Sequence, residues 1–130
     1  MKKFIRTLML AASIGLCAAF ALPALAAAEK AAPHRVVVHV NYNDPTRWSQ
    51  MLNNVRNLQG AFGKNNVQIE VVAHGPGIAM YKLDSPVSSQ LQEIADTGVA
   101  FAVCGNTLRA QHLTIDDMHP AAREVPSGVA

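Results

Sequence analysis

Cysteine is scarce in this 130-residue chain, and beyond its N-terminus positive charge is nowhere concentrated. Only two cysteines are present. Cys17 lies in an apolar N-terminal run that reads as a removable leader, so Cys104 is left without an intramolecular partner and a disulfide framework is excluded. No basic run or patch follows the leader, which removes the electrostatic basis for binding nucleic acid. No zinc signature is present either, because His112 and His119 are wrongly spaced for one and a single cysteine remains to join them. No metal and no cofactor is therefore expected. No Ser-His-Asp order can be read, and His74-Gly75-Pro76-Gly77 is too short to cradle a phosphate and reads as a turn.

The first 26 residues have a pattern of their own. Lys2, Lys3 and Arg6 precede an apolar stretch over 8–22, and the small residues Ala24-Leu25-Ala26 follow. These are the charged, apolar and cleavage regions of a secretory signal peptide. Charge holds the start at the inner membrane face while the apolar stretch partitions into the bilayer. Cleavage is expected after Ala26, with Ala28 as the alternative site, and the protein is expected to be exported, to the periplasm where the cell has an outer membrane. Pro23 and the small residues around it favour cleavage over a permanent membrane anchor. Three basic residues leave with the signal, so the whole-chain charge of +2 becomes slightly negative. About 100 residues remain, enough for one core and no second domain.

Residues 27–34 are a small, Ala-rich leader, and 35–130 form the expected domain. Arg35-Val36-Val37-Val38-His39-Val40 is β-branched almost throughout and reads as a central strand buried on both faces, with His39 a core imidazole. Asp44-Pro45 is an N-cap followed by proline at the first helical position. Trp48, Met51, Leu52, Val55, Leu58 and Phe62 then form one apolar stripe at helical spacing, ended by Gly63. Over 67–73 apolar and polar residues alternate, as in an edge strand covered on one side. Residues 78–83 read as a short helix or a packed loop, and as the candidate subunit contact. A second helix starts at Ser85-Pro86, and Val99-Ala100-Phe101-Ala102-Val103 is another apolar strand. It runs into Cys104-Gly105-Asn106-Thr107 and a helix-forming stretch over 108–113. Val125-Pro126-Ser127-Gly128 reads as a terminal turn.

Strands alternating with helices predict an α/β fold, a mainly parallel sheet with helices on both faces. A polar-faced second strand at an edge predicts the flavodoxin-like order 2-1-3. Ligands in such sheets bind beyond the carboxyl ends of the strands. That places Asn41, His74, Gly75, Gly77, Cys104, Gly105, Asn106 and Thr107 at one end, with Cys104 as the candidate reactive group. An isolated cysteine at a strand end is as a rule inert packing. Here, however, the thiol sits at a strand-to-helix junction whose unpaired amides favour a thiolate. His74 is the candidate polariser, and the other loop residues are candidate ligand contacts.

The chain resembles the DsrE/DsrF-like family, small sulfur-relay proteins related to those that accompany dissimilatory sulfite reductase. The resemblance rests on Val36-Val37-Val38-His39-Val40-Asn41 and Val71-Val72-Ala73-His74-Gly75-Pro76-Gly77-Ile78. It continues through Gly98-Val99-Ala100-Phe101-Ala102-Val103-Cys104-Gly105-Asn106-Thr107-Leu108 and Val125-Pro126-Ser127-Gly128-Val129. It implies a three-layer α/β/α sandwich assembled as a homo-oligomer, a trimer or hexamer, with protein donors and acceptors of sulfur as partners. It also implies that Cys104 receives a sulfane sulfur as a persulfide and passes it on, and that the pattern continues past Ala130 into a helix and a last strand. Two readings from other classes stand beside sulfur relay: a non-catalytic oligomeric module that binds a small ligand in the same cleft, and a thiol redox sensor.

Overall fold

The computed structural model describes residues 34–129; the expected signal peptide and nearly all of the leader lie outside them. Four strands, β1 (His34–Val40), β2 (Val67–Ala73), β3 (Ala100–Cys104) and β4 (Ala122–Val125), form one parallel sheet in the order β1-β2-β3-β4. Helices α1 (Pro45–Phe62), α2 (Ser88–Ala95) and α3 (Gly105–Ala110) connect them, with 3-10 turns at Gly75–Tyr81 and Ile115–Asp117. The fold is α/β, as expected.

The clearest sequence signal produces the clearest element. The Asp44 carboxylate accepts hydrogen bonds from the N–H groups of Thr46 and Arg47 at 3.0 and 3.2 Å, which satisfies amides that the first turn leaves unpaired. Gly63 takes φ +84°, a conformation open to glycine, and donates its N–H to Gln59 O. Trp48, Met51, Leu52 and Val55 are buried as the stripe predicts, while Phe62 is 40% exposed.

Strand order is where expectation fails. β2 is central, between β1 and β3, so the flavodoxin-like order 2-1-3 is replaced by a sequential one. Right-handed crossovers between sequential parallel neighbours carry every connection to the same side of the sheet. Accordingly Val40, Ile69, Val71, Ala73, Phe101, Val103 and Ala122 share one core with Trp48, Leu52, Leu91, Ile94 and Leu108. Among the described residues the other face carries no helix, so the expected third layer is missing from them. β1 is therefore an edge strand rather than a central one, and Val37 is 69% exposed. His39, expected in the core, stands exposed on the bare face. The alternation over 67–73 was a true sign of one-sided cover, but the whole sheet has that property and not the edge alone.

Two further expectations change. Ile78, Met80 and Tyr81 are fully buried in the core, with the Tyr81 hydroxyl donating to Val71 O at 2.7 Å, so within 78–83 the apolar surface open to a subunit contact is that of Leu83, which is 60% exposed. The terminal turn at 125–128 is preceded by a strand: β4 pairs with β3, Val125 lying opposite Cys104.

Candidate functional site

All four strands end at the same edge of the sheet, and the loops expected to carry chemistry follow β1, β2 and β3 there. Side chains alternate along β3, so Phe101 and Val103 enter the core while Ala102 and Cys104 face the other way. Cys104 thus lies on the face without helices, yet it is only 5% exposed. The cover comes from the segment after β4. A β-carbon placed on Gly128 would stand 3.2 Å from Cys104 Cβ, 3.2 Å from His74 Cβ and 3.3 Å from Val72 Cγ1. Only a residue without a side chain fits this close at no cost.

Electrostatics around the sulfur are one-sided. Burial pushes the Cys104 thiol up, while the Thr107 hydroxyl and the backbone N–H groups of Thr107, Gly128 and Asn106 pull it down. Together they outweigh burial and hold the thiol below its ordinary value. Helix α3 has only six residues, so its contribution is the local amides of its first turn rather than a long dipole. Thr107 is itself positioned, because its Oγ1 accepts the Gly75 N–H at 3.0 Å. Gly75 takes φ +51°, and its carbonyl accepts from Gln111 Nε2 at 3.2 Å. The loop after β2 thereby braces the loop after β3.

His74 lies beside this cluster without joining it. Its N–H donates to Val40 O at 3.0 Å, and its ring stacks on His39 with centroids 4.2 Å apart. Burial first, and then the charge of His39, lower its pKa. No hydrogen bond links the imidazole to the sulfur, and Nε2 is buried without a partner among the described residues. The expected polariser is a neighbour of the site, not a contact of the thiol.

The remaining candidates divide. Cys104, Asn106, Thr107 and Gly75 come together. Gly77 serves the backbone: a β-carbon there would meet Val40 O at 2.2 Å, so the glycine lets the turn pack on the end of β1. Asn41 is exposed, and its backbone N lies at that same contact. Gly105 faces the Glu124 carboxylate, which lies 3.5 Å from Arg109 Nη1. Among the described residues no group of three or more His, Cys, Asp or Glu could hold a metal ion. Gly128 is the residue that sequence reasoning missed. The rule that sites lie beyond strand ends would have found it had β4 been recognised.

Outside Gly128 the bare face forms an open hollow of about 430 Å³, lined by Val37, Glu70, Val72, Arg123, Val125 and 127–129. Arg123 and Glu70 form an ion pair across it. No helix among the described residues is long and apolar enough to cross a membrane.

No protein-family model and no curated protein matches the sequence. The solved structure of MTH1491 from Methanobacterium thermoautotrophicum, a protein of unknown function, matches with a TM-score of 0.70 and 38% identity. The match covers 74% of this chain and 85% of that one. The chain belongs to the family of MTH1491. Identity at this level over most of both chains carries the α/β fold across the MTH1491 family. It brings no activity with it, so any function must be argued from the site.

Proposed function

We propose that the protein is an exported, DsrE-like carrier of sulfane sulfur, held as a persulfide on Cys104. The observation that carries this reading is the place of Cys104, a buried thiol at the β3–α3 junction under Gly128, with its pKa lowered despite burial. A thiol held below its ordinary value ionises more readily, which a nucleophile needs and inert packing does not. In the loading step the Cys104 thiolate attacks the outer sulfur of a donor persulfide. A new S–S bond forms on Cys104, the donor's S–S bond breaks, and the donor leaves as its thiolate. Transfer onward repeats the exchange with an acceptor thiolate. Neither direction needs an external oxidant or reductant.

Export, through the signal peptide at 1–26, belongs to the same reading. So does self-association. Parallel sheets are nearly always covered on both faces, and the exposed Val37 and Val129 on the bare face join Leu83 of 78–83 as candidate contacts. The trimer or hexamer is what the DsrE/DsrF resemblance implies.

The hollow beside Gly128 favours one second reading, a small-ligand module in which Cys104 does no chemistry. The intact mass of the protein after incubation with a low-molecular-weight persulfide separates the two. A gain of one sulfur atom that Cys104→Ser abolishes supports the carrier. A wild-type chain that gains no sulfur while folded refutes it.

A further inference from the structure

Gly128 is held against a fixed surface by a loosely held segment. Cys104, His74 and Val72, its three close neighbours, belong to the sheet or its immediate exit. Residues 126–129 are tied down far less. The β3–β4 ladder ends at Val125, and no backbone–backbone hydrogen bond joins 126–129 to any other described residue. The one conventional bond recorded for the segment runs inside it, from Val129 N–H to Ser127 Oγ at 3.4 Å. Val129 is 77% exposed, and the outer side of 127–129 borders the open hollow. Few buried contacts and few backbone bonds define the segments of a protein that open most easily.

We propose that residues 126–129 form a movable cover over Cys104, with Gly128 as the positioning residue that closes it. The inference rests on Cys104 being the reactive group. When the cover is shut, Gly128 lies against Cys104 Cβ and blocks approach from solvent. When it lifts, the sulfur becomes reachable from the hollow and loses the influence of the Gly128 amide that lowers its pKa. Reaction then runs through the open population, so the observed rate is the intrinsic rate multiplied by the open fraction. The absent side chain at 128 sets that fraction. A methyl group there would be pressed against Cys104 Cβ, His74 Cβ and Val72 Cγ1, and the weakly anchored segment is the partner that must yield.

Iodoacetamide alkylation followed against pH tests this on the full chain, since the titration midpoint reports the thiolate and the high-pH limiting rate reports access. Gly128→Ala should raise the limiting rate on the order of tenfold, the equivalent of one hydrogen bond to a charged group, and should move the midpoint up. Gly128→Val should raise the limiting rate further. Thr107→Val removes a donor without touching the cover, so it should move the midpoint up and leave the limiting rate as in wild type. A Gly128→Ala chain, folded by circular dichroism, that keeps the wild-type limiting rate overturns the cover. So does a Thr107→Val chain whose limiting rate rises as much as that of Gly128→Ala. Sulfur loading of the same chains by mass reports on the carrier reading separately, because alkylation needs no sulfur donor.

Discussion

Substituting alanine at two glycines of the candidate site should have very different consequences, and the structure says why. At Gly77 the new β-carbon would lie 2.2 Å from Val40 O, 2.7 Å from Val40 C and 3.0 Å from Asn41 N. These are backbone atoms at the end of β1, and Val40 O already accepts the His74 N–H at 3.0 Å. Relief requires the strand end and the turn to part by about an ångström. Overpacking of this kind costs about 1–3 kcal/mol, and weakening the His74–Val40 bond adds about 1 kcal/mol. A loss of about 2–4 kcal/mol lowers the melting temperature of a domain this size by roughly 10–20 °C. At Gly105 the new β-carbon also finds an atom 2.2 Å away, but it is Glu124 Oε1. That carboxylate is the end of a flexible, exposed side chain that can swing out. The change loses an exposed ion pair worth about 0–1 kcal/mol, and replacing glycine within a helix returns about 0.5–1 kcal/mol. Gly105→Ala should therefore melt within a few degrees of wild type. Thermal unfolding by circular dichroism or calorimetry decides the matter. If Gly105→Ala falls as far as Gly77→Ala, or Gly77→Ala melts with the wild type, the assignment of Gly77 to backbone packing is wrong.

Thr107→Val should slow alkylation of Cys104 at neutral pH by on the order of tenfold, because it removes a hydroxyl that lowers the thiol's pKa; an unchanged rate would remove Thr107 from the site. His39→Ala should raise the pKa of His74 toward that of a free imidazole, since it uncovers the ring and deletes the neighbouring charge, and imidazole proton shifts read this directly. The sign for stability follows from the same depression. The unfolded chain takes up the proton first, so stability contributed by neutral His74 is complete above about 6.5 and declines as pH falls through the lower folded value. Val37→Lys should dissociate an assembly built on the bare face, seen as a smaller mass in light scattering, whereas a wild-type chain that is monomeric at micromolar concentration contradicts that assembly. Exported material should begin near Ala27 by N-terminal sequencing, and a start at Met1 would end the export argument.

Helix α1 was legible because its determinants are local. The Asp44 cap, Pro45, the stripe from Trp48 and the Gly63 stop all act within a turn or two of their own position. The α/β class followed from the alternation of elements, and Cys104 with Thr107 from their place at a strand-to-helix junction. Strand order did not follow, because β-branched residues make a strand without recording which neighbour it pairs with. Two-sided cover was assumed for β1 from its composition, yet crossover handedness and sequential pairing left one face bare. β4 escaped notice because four residues, one of them alanine and two charged, show no period. The most consequential omission came from that one, since Gly128 reaches Cys104 only after β4 has paired beside β3. Sequence determined which groups could react. Which of them meet was decided by long-range pairing, and that also determined what lies over the sulfur.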